Sequence, residues 1–74
     1  MSKTRIPEHR RRLGVAIRKR RLAAEMSQEG LAELVGCHRN YVGNVERGEQ
    51  NMTVDMLHRF AAGLKCGMGD LVDE

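Results

Sequence analysis

The chain has no tryptophan, one tyrosine and one phenylalanine among its 74 residues. Its core must therefore be aliphatic, built from Leu, Val, Ile, Ala and Met. Its two cysteines, Cys37 and Cys66, have no close pairing pattern, which excludes a disulfide framework. With His38 and His58 they match no zinc-ligand spacing, so no metal is expected. No apolar run approaches membrane-spanning length, and the polar, basic start lacks the apolar core of a secretory leader. The expected setting is a reducing cytoplasm with two free thiols and no membrane partner. A nucleophile–base pair, a glycine-rich phosphate loop and a carboxylate pair on one face are all missing, so an enzyme is not expected. Nor does any residue pattern imply a cofactor or a small-molecule effector. No run alternates apolar and polar residues over strand length, and there is no internal repeat or low-complexity tract.

What the chain does have is basic charge at one end. The net charge is only +3, but nine Lys and Arg residues (3, 5, 10, 11, 12, 18, 19, 20 and 21) stand before residue 22 against one acid, Glu8. The remainder carries four basic residues (39, 47, 59 and 65) and nine acids, and is net acidic. This asymmetry points to a polyanion on one side of the molecule.

Residues 1–8 read as a flexible basic arm, and 9–74 as one small domain near the lower limit of independent stability. The pattern predicts helix over about 9–24, with Leu13, Ile17, Arg21 and Ala24 on one face. Ser27 is an N-cap for a second helix whose apolar face is Leu31, Ala32, Leu34 and Val35. Gly36 is suited to end it in a left-handed conformation. A third helix runs from near His38 to about Arg47, with Val42 and Val45 inward, and Gly48 stops it. Thr53 caps a fourth helix with the stripe Val54, Leu57, Phe60, Ala61 and Leu64. Cys66-Gly67 is a turn, and Met68 to Asp73 form a last short helix. The fold class is all-α.

The stretch Ser27 to Gly48 thus reads as two short helices joined by a tight turn, followed by residues suited to reading DNA. Arg39, Asn40, Gly43 and Asn44 share one face of the third helix and are the candidates for base contact. Arginine bonds both major-groove acceptors of guanine, asparagine bonds adenine in a bidentate way, and Gly43 lets the helix sit close. The bland alternative is a solvated polar face. Gln28, at the start of the second helix, is a candidate for the DNA backbone, and so are His38, Tyr41 and Asn51. The alternatives are a surface glutamine, a helix cap for His38 and packing against the second helix for Tyr41. Lys3, Arg5 and the His9-Arg10-Arg11-Arg12 run suit phosphate or a minor groove, or else form a solvated tail.

Arg21 and Glu46 fall on otherwise core-facing positions. A buried arginine needs a partner, and a bidentate pair between them would tie the first helix to the third. Met56, Met68, Leu71 and Val72 near the last two helices are candidates for a dimer interface, with plain core as the alternative.

These residues resemble the Cro/C1-type helix-turn-helix family, also called the XRE family, over about Leu13 to Leu71. The matching positions are Leu13-Gly14, Ile17-Arg18, Arg21, Ser27-Gln28, Leu31-Ala32, Val35-Gly36, Val45-Glu46-Arg47-Gly48 and Leu64. The resemblance implies a five-helix, lambda-repressor-like domain in which Gln28 and His38 meet the backbone, Arg39, Asn40 and Asn44 face bases, and Arg21 pairs with Glu46. The run Glu46 to Thr53, with an aliphatic residue where many members carry proline, is similar to the controller proteins of restriction–modification systems. That likeness implies a homodimer on a pseudo-palindromic operator, with Tyr41 and Asn51 also touching DNA. Glu25 stands where the family often has Gly or Asn, and Gly67 where it has a Ser or Asp cap. The expectation is a sequence-specific transcriptional regulator partnered by double-stranded DNA and by a second copy of itself. The alternative is an antitoxin-like module whose main partner is a protein.

Overall fold

A computed structural model describes residues 5–73. Its helices are α1 (Glu8–Ala23), α2 (Gln28–Val35), α3 (Arg39–Glu46), α4 (Val54–Gly63) and α5 (Met68–Val72), with no strand among the described residues. Helix α1 packs on α3 and α5, α2 on α3 and α4, and α4 on α5. Each helix supplies one side chain to the sealed centre: Ile17, Leu31, Val42, Phe60 and Leu71. Burying each contributes about 1.5–3 kcal/mol.

The helix starts follow from side chains that satisfy the free N–H groups of the first turn. The Ser27 hydroxyl accepts from the Gly30 N–H at 2.9 Å, and Thr53 Oγ1 from the Met56 N–H at 3.1 Å. Glycine at 67 offers no such oxygen. Instead Asp70 reaches back and accepts the Gly67 N–H at 2.9 Å, so α5 forms without the usual cap. Pro7, with φ −58°, precedes α1, and Glu8 in its first turn suits the helix dipole.

The helix ends share one device. After α1, α2, α3 and α4 the chain turns through a left-handed residue, and the next N–H bonds five residues back. The bonds run from Met26 to the Arg21 carbonyl at 3.1 Å, Cys37 to Ala32 at 3.0 Å, Glu49 to Asn44 at 2.9 Å and Cys66 to Ala61 at 2.9 Å. The left-handed residues are Glu25 (φ 59°), Gly36 (φ 86°), Gly48 (φ 80°) and Lys65 (φ 58°). Glycine adopts this conformation freely, whereas glutamate and lysine are strained in it.

Several expectations are corrected here. Leu34 and Val54 are 62% and 70% exposed and take no part in the core. Ala24 lies just past the end of α1 and is also exposed. Leu71 is 1% exposed, fully used by the domain's own core, and so unavailable as a dimer contact. Helix α1 starts at Glu8, inside the stretch expected to be an arm, and Ile6 is half-buried near Gly48. Lys3 lies outside the described residues.

Candidate nucleic-acid interface

Helix α3 is held from behind by a close helix crossing. A Cβ on Gly14 would stand 2.4 Å from the Val45 carbonyl oxygen and 2.6 Å from that of Glu46, so only glycine lets α1 approach α3 this closely. Two turns further along α1, Arg21 reaches Glu46 through two bonds, Nε to Oε2 at 2.6 Å and Nη2 to Oε1 at 3.0 Å. Its remaining arm, Nη1, donates to the Met26 carbonyl at 2.8 Å. The hydrogen bonds that Arg21 donates to Glu46 hold its guanidinium above its ordinary value, outweighing the opposing effect of burial. Both side chains are buried, at 8% and 4% exposure.

Gln28 joins this network, donating from Nε2 to Glu46 Oε1 at 3.0 Å. One of its amide N–H groups is thus committed internally. The start of α2 is thereby locked to the end of α3 through one carboxylate that also holds α1.

On the outer side, Gln28, Arg39, Asn40, Gly43, Asn44 and Arg47 line one open, polar groove. The structure brings all the residues read as base-contacting into it. Arg39 extends into solvent, with Nε 3.9 Å from Glu29, a distance that holds it loosely. Asn40 is exposed and Asn44 half-exposed. Gly43 is buried, covered by Arg47 and Gln28, so it forms the floor of the groove rather than a contact surface. A base could meet it only if those side chains moved aside.

His38 caps α3, its Nδ1 accepting the Asn40 N–H at 3.1 Å. The bond leaves Nε2 as the outward atom, able to donate to a phosphate while the cap stays in place. Tyr41 is half-buried, its ring 6.1 Å from that of Phe60 at a 43° tilt. Its ring partner is therefore on α4, whereas the alternative to a DNA contact named the second helix. Burial, with a smaller effect from Cys37, raises its hydroxyl above the usual range and keeps it a neutral donor. Asn51 is exposed in the loop between α3 and α4, outside the groove lining. The first turns of α1 abut the end of α3: a Cβ on Gly48 would lie 3.1 Å from the Arg11 Cα. The backbone of the His9–Arg12 run therefore passes beside the C-terminal end of α3. Among the described residues no cluster could hold a metal ion, and no helix is long and apolar enough to cross a membrane.

Arg47 was not singled out by its position after the reader residues, yet it lines the groove. It sits three residues after Asn44 and four after Gly43, a helical spacing that would have pointed to it. Its Nη2 donates to Asn44 Oδ1, and its Nε to Glu49 Oε1 at 3.2 Å.

Comparison with known proteins agrees with this geometry. A family model described as a helix-turn-helix domain matches residues 12–74. The control protein C.SmaI of Serratia marcescens is 41% identical over 56 residues, which span 76% of this chain and 67% of that protein. C.BamHI of Bacillus amyloliquefaciens is 36% identical over 61 residues, 81% of this chain and 75% of that one. The crystal structure of the restriction-modification controller protein C.AhdI from Aeromonas hydrophila superposes with a TM-score of 0.81 at 38% identity. It covers 82% of this chain and 92% of its own.

Proposed function

The chain belongs to the helix-turn-helix family of DNA-binding transcription regulators that includes these control proteins, and from that premise we propose that it governs restriction–modification genes as a homodimer on a pseudo-palindromic operator. The observation that carries the reading is the groove. Arg39, Asn40 and Asn44 stand together on the outer face of a helix whose inner face is clamped by Gly14 and by the Arg21–Glu46–Gln28 network. A reader helix must present its side chains in fixed register, and this clamp supplies the register.

In this reading Arg39 bonds guanine, and Asn40 and Asn44 meet neighbouring base edges. Gln28, His38, Tyr41 and Asn51 hold the phosphates on either side. Two copies set their α3 helices about one DNA turn apart, roughly 34 Å. The partner surface lies on the half-buried Met56 and Met68 and the exposed Val72.

The test is a mobility shift on the gene's own upstream DNA across a salt series, with scrambled DNA as control. Tight, stepwise, sequence-selective binding is expected. Arg39→Ala is expected to relax preference at one position of each half-site by about 1–3 kcal/mol. Weak binding, equal on both DNAs and lost at modest salt, would reduce the protein to a charge attraction.

A further inference from the structure

Bidentate recognition of adenine needs both halves of an asparagine amide, the oxygen to accept from N6 and the NH2 to donate to N7. In this protein the Asn44 oxygen is already engaged. Arginine has donors only, so the atom facing Arg47 Nη2 is fixed as Oδ1. Arg47 is itself aimed by Glu49 through its Nε, and its guanidinium lies over Gly43, where a Cβ would come within 3.3 Å of Nη1. The three side chains form a chain of orientation from the loop after α3 back into the groove.

We infer that Arg47, held by Glu49, is a specificity-determining residue that turns the Asn44 amide so that only its NH2 faces the DNA. Asn44 then works as a pure donor. A donor is matched best by guanine, with acceptors at both O6 and N7, and is rejected by the amino group of cytosine. Adenine and thymine, with one acceptor each at N7 and O4, come after it. Arg47 acts through Asn44 and need not touch a base. The glycine at 43 has a second use here, since a side chain there would crowd the guanidinium out of line.

This inference rests on the DNA-reading function proposed above, and the experiment separates the two. Wild type, Asn44→Ala and Arg47→Met are each used to select from a duplex library with the half-site randomised. Asn44→Ala identifies the base pair under Asn44 as the position whose preference disappears. At that position the wild type is expected to select guanine. Arg47→Met keeps the aliphatic stem, frees the amide, and is expected to shift selection toward adenine by about tenfold, with the other positions unchanged. Glu49→Gln, which loosens the same hold without emptying the groove, is expected to shift it in the same direction by less, and serves if Arg47→Met folds poorly. If both variants keep guanine and lose or gain affinity evenly across all sequences, Arg47 and Glu49 are only charges near a phosphate and the inference is overturned. If the wild type itself selects nothing, the DNA-reading function fails, and this inference with it.

Discussion

Glu46 is the residue on which three helices depend. It accepts two bonds from Arg21 on α1 and one from Gln28 on α2, from its own place at the end of α3. Two desolvated charges gain little net stability from one another, but each becomes costly when left alone. Arg21→Met and Glu46→Leu are therefore each expected to cost about 3–5 kcal/mol, and the double substitution much less than their sum. Denaturant titration of the four proteins measures the coupling; additive losses would mean the pair is no buried unit. The left-handed residues give a prediction of opposite sign. Glu25 at φ 59° carries a strain that glycine would not, so Glu25→Gly is expected to raise stability by about 1 kcal/mol, read as a higher denaturant midpoint. A lower midpoint would show that the unfolded-state entropy of glycine outweighs the strain.

Among the elements, the crossing of α1 over α3 and the end of α4 make a matched pair. Gly14→Ala would put a methyl 2.4 Å from the Val45 oxygen, and the strain is expected to exceed the gain of about 1 kcal/mol in helix propensity. The same change at Gly63 meets only ordinary contacts of 3.5–3.7 Å, so Gly63→Ala is expected to be stabilising. Thermal unfolding of the two variants should move in opposite directions; a shared direction would mean propensity alone decides. This scale also shows what could be read beforehand. Caps at Ser27 and Thr53 and stops at Gly36 and Gly48 are chemical properties of single residues, so the helix order was legible from them. Whether Leu34, Val54 or Leu71 is buried was not, because that depends on how the five helices are arranged and how much surface a chain this small leaves over. Leu34 and Val54 lie on largely exposed helical faces, whereas Leu71 belongs to α5, which packs on α1 far away in sequence. In the groove, the shared face of Arg39, Asn40, Gly43 and Asn44 was visible from their spacing. The bonds of Arg47 to Asn44 and Glu49, and of Gln28 to Glu46, were not, since a choice among several partners is made only by three-dimensional placement.

At the scale of the whole molecule, the proposed dimer ties stability to concentration. If two chains associate through Met56, Met68 and Val72, the melting temperature rises as protein concentration rises. Val72→Glu is expected to abolish that dependence and to leave sedimentation at the mass of one chain. A wild-type melting temperature that ignores concentration would argue against association. Cys37 offers an independent probe of the turn between α2 and α3. Burial pushes its thiol up, only partly opposed by Arg59, so less thiolate is present at a given pH. It is expected to react with iodoacetamide more slowly than a free thiol at pH 8, and to recover the free-thiol rate in denaturant.

The close approach at Gly14 has a kinetic meaning as well. With no side chain at position 14 to hold them apart, α1, which bears most of the positive charge, and α3 form one stiff piece where they cross. A regulator searching a genome spends most of its time loosely held to the wrong DNA. Here the loose grip and the reading pose share one orientation. In the proposed reading, each step along the duplex then presents α3 to the local bases in the pose that the charge on α1 already favours.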